Sequence, residues 1–282
     1  MLLNPFTFHA PKSLSQAVDL YSSLENVKLQ AGGTFLLNNL KLLKRKGVKT
    51  PKHILSLKKA PELKGIFEEG GMLIIKAMTT MNELFDSPLL TGNMDVLKVA
   101  AKNIGTSQIR NMATVGGNLT CRYTWTEMPA IMVGLDADLY FTGQDGKQEI
   151  LSAEEFFKAS AKTDKIFTHA AIKKDPQALI AYRRVKKTPH LDIPLLSLLI
   201  KTNPDGKKFK NTRVAINNCV AFGQRDGKLE SFIDQSTRSK TLAQEALNHL
   251  DEPIYDVRGS DYKKHISRVA IKDAIAGLME KS

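Results

Sequence analysis

The chain has little cysteine: Cys121 and Cys219 are its two thiols in 282 residues, and they lie far apart, outside any CxxC spacing. They cannot form a disulfide framework or a four-thiolate metal site, and they favour a reducing compartment. No apolar run approaches the roughly 20 residues that a membrane span needs. The N-terminal Met1-Leu2-Leu3-Asn4-Pro5 lacks the basic segment and long apolar stretch of a secretory signal. These absences predict a cytoplasmic protein.

Common catalytic and phosphate-binding motifs are also missing from the sequence. It contains no GxGxxG fingerprint, no GxxxxGK[ST] loop, no GxSxG elbow and no HExxH helix. The histidines have no metal-ligand spacing, so each is interpreted as a surface or hydrogen-bonded residue. They are His9, His53, His169, His190, His249 and His265.

Positive charge is abundant, with a net charge of +12 and a basic stretch between Lys41 and Lys64. Such a surface can bind nucleic acid, acidic lipid, an acidic protein or a phosphorylated cofactor. A solvated face is the simpler interpretation of a charge run. No zinc finger or RNP-like motif accompanies the lysines, so no nucleic-acid partner is predicted.

Hydrophobic periodicity indicates alternating strands and helices, which divide into three units. The first, to about residue 55, is a β-α-β-α unit with a strand at 6–8, a capping box at Ser13, a strand at 27–30 and a helix carrying Leu36. The second, 56–175, has a strand at 72–77, capped helices after Thr80 and Ser152, helices at 94–104 and 129–135, and a hairpin at 139–150. The third, 176–282, has strands at 179–185 and 213–220 and helices at 239–250 and 261–279.

Two glycine pairs stand out, Gly32-Gly33 and Gly116-Gly117. Each lies where a strand gives way to a loop or helix, beside hydroxyl or amide side chains. Glycine lets backbone N–H groups approach a phosphate closely and permits positive φ. Two converging loops suit a pyrophosphate, although a plain tight turn is the alternative interpretation of each pair.

The residues around these glycines resemble the paired signature of the flavin subunits of molybdenum hydroxylases. The family has an AGGT-like loop followed by IGxxQIRNxxTxGGN, and the chain is similar at Ala31–Thr34 and at Ile104–Asn118. Glu127 stands where the family has an aspartate, two residues before Pro129. The stretches 74–80, 182–184 and 260–265 are also similar, so the resemblance extends over the whole chain.

The resemblance implies an α+β fold: a two-part FAD-binding module of the vanillyl-alcohol-oxidase (PCMH) type at 1–175, with parts 1–55 and 56–175, and a smaller α+β C-terminal domain at 176–282. FAD is held non-covalently, its pyrophosphate cradled mainly by backbone amides of the two loops. Thr34, Thr114 and Asn118 add side-chain bonds, and Glu127 accepts from a ribityl or ribose hydroxyl. The implied cofactor-binding set is Leu29, Gln30, Ala31, Gly32, Gly33, Thr34, Phe35, Leu36, Gln108, Arg110, Thr114, Val115, Gly116, Gly117, Asn118, Glu127, Ile166 and Arg184.

Arg184 stands where the family usually has lysine, near the pyrimidine end of the isoalloxazine. A fixed cation there favours the anionic reduced flavin and raises its potential. The alternative is that Arg184 is simply one of several basic residues in a strand. Phe35 and Lys76 depart from the family's small polar residue and glycine, which leaves room for weakened FAD binding.

The function implied is an electron-transfer subunit without catalytic residues or metal ligands of its own. In the family, electrons pass from a molybdopterin-containing large subunit through [2Fe–2S] clusters of a small subunit to this FAD, and then to NAD, oxygen, a quinone or another acceptor. Two alternatives remain open. One is a self-sufficient flavin oxidase or reductase of the same fold, and the other is a basic binding module that has lost the flavin.

Overall fold

The computed structural model describes residues 3–122, 125–159, 163–188, 193–256 and 260–281. His190, one of the six histidines of the sequence, lies outside them. The described residues form three sheets, one for each unit expected from the sequence. No helix among them combines the length and apolar character needed to cross a bilayer.

The first unit is a small parallel sheet with strand order β1-β3-β2. Its elements are β1 (Thr7–His9), α1 (Leu14–Ser23), β2 (Val27–Gln30), α2 (Leu36–Arg45) and β3 (His53–Ser56). The capping box predicted at Ser13 forms only in part. The Ser13 hydroxyl accepts from the N–H of Gln16 at 3.2 Å, but the Gln16 side chain accepts from Lys12 rather than from Ser13.

The second unit is a five-stranded antiparallel sheet with strand order β4-β5-β8-β6-β7, accompanied by short helices. Its strands are β4 (Ile66–Glu69), β5 (Met72–Lys76), β6 (Asp138–Thr142), β7 (Gln148–Ser152) and β8 (Ile166–Lys173). Its helices are α3 (Met81–Asp86), α4 (Asp95–Asn103), α5 (Ser107–Arg110), α6 (Val115–Thr120), α7 (Met128–Gly134) and α8 (Ala153–Lys158), with 3-10 turns at Pro61–Leu63 and Gly92–Met94. The capping boxes predicted at Thr80 and Ser152 are both complete.

The segment Thr114–Asn118, predicted as a loop, is instead the start of helix α6. The Thr114 hydroxyl caps it by accepting from the N–H of Gly117 at 3.1 Å. The N–H groups of Val115 and Gly116 donate to the carbonyls of Thr79 and Ala77 at 2.9 and 2.8 Å. Glycine is a poor helix former, so the sequence favours a loop here. These tertiary hydrogen bonds outweigh that propensity.

The third unit is a four-stranded antiparallel sheet with strand order β12-β11-β10-β9. Its strands are β9 (Leu179–Lys186), β10 (Pro194–Asp205), β11 (Lys208–Asn217) and β12 (Gln224–Arg225). Its helices are α9 (Gly227–Gln235), α10 (Leu242–Glu245), α11 (Glu252–Asp256) and α12 (Asp261–Glu280), with a 3-10 turn at Ala246–Asn248. Strands β10 and β12 and helices α9 and α11 were not predicted from the sequence. The helix expected over 239–250 is only α10 followed by the 3-10 turn.

Helix α7 of the second unit packs on one face of this last sheet. A Cβ on Gly134 would lie 2.4 Å from Leu199 Cδ2 and 3.2 Å from Ala215 Cβ, so glycine allows this close approach without displacing the Leu199 side chain. At the end of α7, Asp136 forms ion pairs with Lys201 at 2.8 Å and Arg213 at 2.7 Å. Helices α9 and α12 cover the opposite face, which contributes to a separate apolar core. The sheet therefore lies between α7 and the C-terminal helices.

Candidate cofactor site

The two glycine-containing segments meet. A Cβ added to Gly32 would lie 1.9 Å from the carbonyl oxygen of Met112, and one added to Gly117 would lie 3.4 Å from Ala31 Cβ. The turn after β2 and the start of α6 are therefore in direct contact, backbone against backbone. The absence of a side chain at Gly32 is what permits this contact.

The turn after β2 presents unused hydrogen-bond donors. Gly33 has a φ of 74°, a conformation that glycine adopts without strain. Within the described part of the chain, the N–H groups of Gly32, Gly33 and Thr34 donate no hydrogen bond. Beside them, the buried side-chain oxygen of Gln30 also has no hydrogen-bond partner there. Buried polar groups are normally paired, so unpaired groups at one turn suit a polar ligand.

The second segment contributes differently from what its sequence suggests. Because the N–H groups of Val115 and Gly116 hold α6 against the rest of the unit, they are not available to a ligand. The groups that remain are side chains: the Thr114 hydroxyl can still donate its proton, and the Asn118 side chain lies next to it along the helix. The Asn118 oxygen accepts from the Thr126 hydroxyl at 2.9 Å, which fixes the orientation of its amide.

Glu127 and Arg184 form a buried ion pair between α7 and β9. Glu127 is 2% exposed and the Arg184 side chain is 10% exposed. Burial raises the pKa of the Glu127 carboxyl, and Arg184 lowers it without fully offsetting that effect. Oε1 of Glu127 accepts from the guanidinium, and no other described residue donates to Oε2. That oxygen is available to a hydroxyl donor.

Polar side chains line the sheet beside this ion pair. Arg184, Ser197 and Asn217 are directly opposite one another on β9, β10 and β11, so they share the face that α7 covers. Asn217 donates to the carbonyl of Thr126 at 2.8 Å. The Ser197 hydroxyl, the Asn217 side-chain oxygen and the Tyr182 hydroxyl are all buried and have no hydrogen-bond partner among the described residues.

Tyr182 is the largest of these groups. Its hydroxyl lies close to that of Ser197, but the two do not meet the geometry of a hydrogen bond. Burial raises the pKa of the Tyr182 phenol far above its ordinary value, and the neighbouring Glu127 carboxylate raises it further. The phenol therefore stays protonated and can act as a hydrogen-bond donor.

Other residues expected at the site have structural contacts. The Arg110 guanidinium donates to the Asn82 side chain and to the carbonyls of Lys102 and Gly105, all within 3.1 Å. Ile166 is buried in the apolar core at the start of β8, and Val115 is fully buried. The Gln108 side chain is exposed. Lys76 extends over the ring of Phe67, 5.6 Å from its centroid.

Thr126, Ser197 and Asn217 were not found by sequence reasoning. They belong to three different elements, and nothing in the order of the residues connects Asn217 with Thr126, which is 91 positions away. The isolated Asn217-Asn218 pair at the end of a strand was the single available signal, and it favours a turn as readily as a site.

The N–H donors of the glycine turn and the carboxylate acceptor of Glu127 together suit a dinucleotide. Successive N–H groups at a glycine turn can bind a pyrophosphate, and Oε2 of Glu127 can accept from a sugar or ribityl hydroxyl. The first group requires a negative ligand and the second requires a hydroxyl donor. FAD carries both.

Comparison with known proteins agrees with this chemistry. A family model described as the FAD-binding domain in molybdopterin dehydrogenase matches residues 4–180. The chain is 29% identical over 280 residues to the carbon monoxide dehydrogenase medium chain of Hydrogenophaga pseudoflava, with 96% of both chains covered. It is 27% identical over 287 residues to the corresponding chain of Afipia carboxidovorans, with 98% of this chain and 97% of the relative covered.

A solved structure extends the likeness to three dimensions. A chain of the Cu,Mo-CO dehydrogenase in its cyanide-inactivated form superposes with a TM-score of 0.88 at 26% identity, covering 100% of both chains. The α+β fold and the FAD cofactor expected from the sequence are thereby confirmed. The chain belongs to the family of FAD-binding domains of molybdopterin dehydrogenases, and it is an FAD-dependent oxidoreductase subunit of the xanthine and carbon monoxide dehydrogenase type.

Proposed function

We propose that this chain holds FAD between the turn after β2 and the start of α6, and that it transfers electrons within a molybdenum hydroxylase complex. The observation that carries the proposal is the contact of Gly32 with Met112, which brings the free N–H groups of Gly32, Gly33 and Thr34 beside Thr114 and Asn118. These groups would bind the pyrophosphate. FAD, when bound, supplies one-electron and two-electron redox chemistry.

Glu127 and Arg184 would position the flavin end of the cofactor. Oε2 of Glu127 would accept from a ribityl hydroxyl while Oε1 keeps its ion pair with Arg184. The guanidinium is buried and permanently charged, so it stabilises negative charge that develops near it. Its role would be to favour reduction of the flavin. No side chain of this chain needs to act as a general acid or base.

The partners follow from what this chain lacks and from what its relatives are. Two isolated cysteines cannot hold an iron–sulfur cluster, so any cluster must belong to another subunit. The relatives are named as medium chains of carbon monoxide dehydrogenase. We assign a [2Fe–2S] small subunit as the electron donor, a molybdopterin-containing large subunit as the site of substrate oxidation, and NAD, oxygen or a quinone as the acceptor, with the complex in the cytoplasm.

The domain division proposed for this function places the FAD module at 1–175 and a C-terminal domain at 176–282. The C-terminal sheet supplies Arg184 and the polar residues beside it. In this proposal the C-terminal domain completes the site that the FAD module begins.

Anaerobic reduction tests the proposed function. The purified chain, loaded with FAD, is mixed with its pre-reduced [2Fe–2S] partner, and bleaching of the flavin absorbance is followed in a stopped-flow instrument. We expect bleaching that depends on the partner. Arg184→Lys should retain bleaching because it keeps the charge, whereas Arg184→Gln should bind FAD with a lower reduction potential.

Other outcomes identify the alternatives. Turnover of a small substrate by the chain without any iron–sulfur protein would indicate a self-sufficient oxidase or reductase. Protein that stays colourless after mixing with FAD would indicate a binding module without flavin. Either result would contradict the proposal.

A further inference from the structure

Two aromatic side chains lie where the glycine segments meet. Phe35 follows Thr34 directly and precedes α2, and Trp125 precedes Thr126 in the segment that leads to Glu127. Their ring centroids are 5.4 Å apart and the ring planes are tilted by 56°. The pair therefore spans from the turn with free N–H groups to the segment that carries Glu127.

We propose that Phe35 and Trp125 form an aromatic wall of the cofactor site, on which a planar ring of the bound dinucleotide stacks. The inference rests on the proposed function and adds to it two residues with a defined role. The shared chemistry of the ligand is a flat aromatic ring attached to a diphosphate, which describes both the isoalloxazine and the adenine of FAD.

The position of Trp125 is fixed by its neighbour. Thr126 donates through its hydroxyl to Asn118, and its carbonyl accepts from Asn217, at 2.9 and 2.8 Å. These bonds tie the backbone next to Trp125 to α6 on one side and to β11 on the other. The indole is thus presented from a braced backbone, which lowers the entropy lost when a ring stacks on it.

Exposure of the indole is consistent with a role in binding. Trp125 is 38% exposed although it contacts Phe35, so part of a large apolar ring faces solvent next to unpaired polar groups. A polar turn beside an aromatic surface matches the two ends of a nucleotide, in which charged phosphate adjoins a flat ring. Stacking of a base on an aromatic side chain is tolerant of the ring's identity.

Phe35 explains a departure from the family. The resemblance leads one to expect a small polar residue after the AGGT-like step. The side chain of Phe35 makes no cap for α2, but it contacts Trp125. The larger residue is therefore accommodated by stacking with Trp125 and provides apolar surface rather than a hydrogen bond.

The fluorescence of Trp125 tests the inference directly because it is the single tryptophan of the chain. The purified apoprotein is titrated with FAD, FMN and ADP, and tryptophan emission is recorded. We expect FAD to quench the emission strongly. Quenching by ADP would identify the adenine as the stacking ring, since adenine does not absorb where tryptophan emits. Quenching by FMN can also arise from energy transfer, so the isoalloxazine would be identified by quenching with FMN but not ADP, together with weaker FMN binding in Trp125→Ala.

Variants separate a binding role from a structural one. Phe35→Ser and Trp125→Ala should each weaken FAD binding about tenfold, as measured by flavin absorbance after equilibrium dialysis, while Trp125→Phe should bind within about twofold of the wild type. Phe8→Ser is the matched control, since Phe8 is an exposed aromatic residue on β1. It should bind FAD normally.

Unchanged tryptophan emission upon FAD binding, or wild-type affinity in Phe35→Ser and Trp125→Ala, would overturn the inference while leaving the proposed function intact. If the wild-type chain itself does not bind FAD, the proposed function fails. If either variant unfolds, the FAD affinity of Trp125→Phe and the emission titration of the wild type with FAD still test the inference.

Discussion

Replacing Gly32 with alanine tests whether contact between the glycine segments forms the cofactor site. The new Cβ would lie 1.9 Å from the Met112 carbonyl oxygen and 2.8 Å from its carbon. A carbon–oxygen contact normally has a separation of about 3.3 Å or more, so the two segments must part by more than 1 Å. Both partners are backbone, and no side-chain rotation can relieve the clash.

The magnitude follows from the cost of overpacking, which is about 1–3 kcal/mol for an added group in a tightly packed place. If the segments part to relieve about 2 kcal/mol of strain, FAD must restore that strain when it draws them together. The dissociation constant should then rise about 30-fold. The apoprotein itself should lose only a few degrees of melting temperature, because it can adopt the conformation in which the two segments have moved apart.

The assay is equilibrium dialysis with FAD, read by flavin absorbance, together with thermal unfolding of the apoprotein and the FAD-loaded protein. Gly227→Ala is the matched control, because a Cβ at Gly227 has nothing within 4 Å and the residue begins α9. The control should retain the affinity of the wild type. Wild-type affinity in Gly32→Ala as well would refute the claim that this close approach builds the site.

Three other changes test the ion pairs and the buried phenol. Burial raises the pKa of Asp136, but Lys201 and Arg213 bring it below the ordinary value. The contribution of Asp136 to stability is therefore present above the unfolded pKa and is lost as pH falls through the folded pKa. Asp136→Asn should flatten the acid side of a plot of unfolding free energy against pH. Tyr182→Phe removes a buried hydroxyl that has no hydrogen-bond partner within the described ranges, and it should leave the apoprotein as stable or up to about 1 kcal/mol more stable in urea unfolding. A loss of about 2 kcal/mol would show that the hydroxyl is paired. Glu127→Gln removes the carboxylate of a buried ion pair with Arg184 and should cost about 3 kcal/mol in the same assay, a prediction that an unchanged midpoint would contradict.

The elements that could be read from the sequence are those set by neighbouring residues. Thr80 and Ser152 each precede a glutamate by three positions, and both form complete capping boxes. The box at Ser13 forms only in part, because the side chain of Gln16 accepts from the N–H of Lys12 instead of the N–H of Ser13. Capping residues in the sequence therefore predict where these helices begin. The backbone conformation before the helix determines which N–H donates to the side chain at the third position.

Strand β10 was missed because it has no alternation to reveal it. Its apolar residues face α7 on one side of the sheet and α12 on the other, so a nearly continuous apolar run replaces the period of two. The segment Thr114–Asn118 was predicted to be a loop because it contains two glycines. Its glycines indicate flexibility, whereas hydrogen bonds from the N–H groups of Val115 and Gly116 to the carbonyls of Thr79 and Ala77 hold it as a helix.

By itself, the sequence determined the chemical kind of this protein: two glycine pairs flanked by threonine and asparagine, two lone thiols, and the motifs of a flavin subunit. Tertiary structure alone decided which groups meet: Gly32 with Met112, Glu127 with Arg184, and Thr126 with Asn217. The physical reason is range. Caps and turns depend on hydrogen bonds between residues a few positions apart, whereas the site depends on contacts between distant segments that exist only once the sheets have packed.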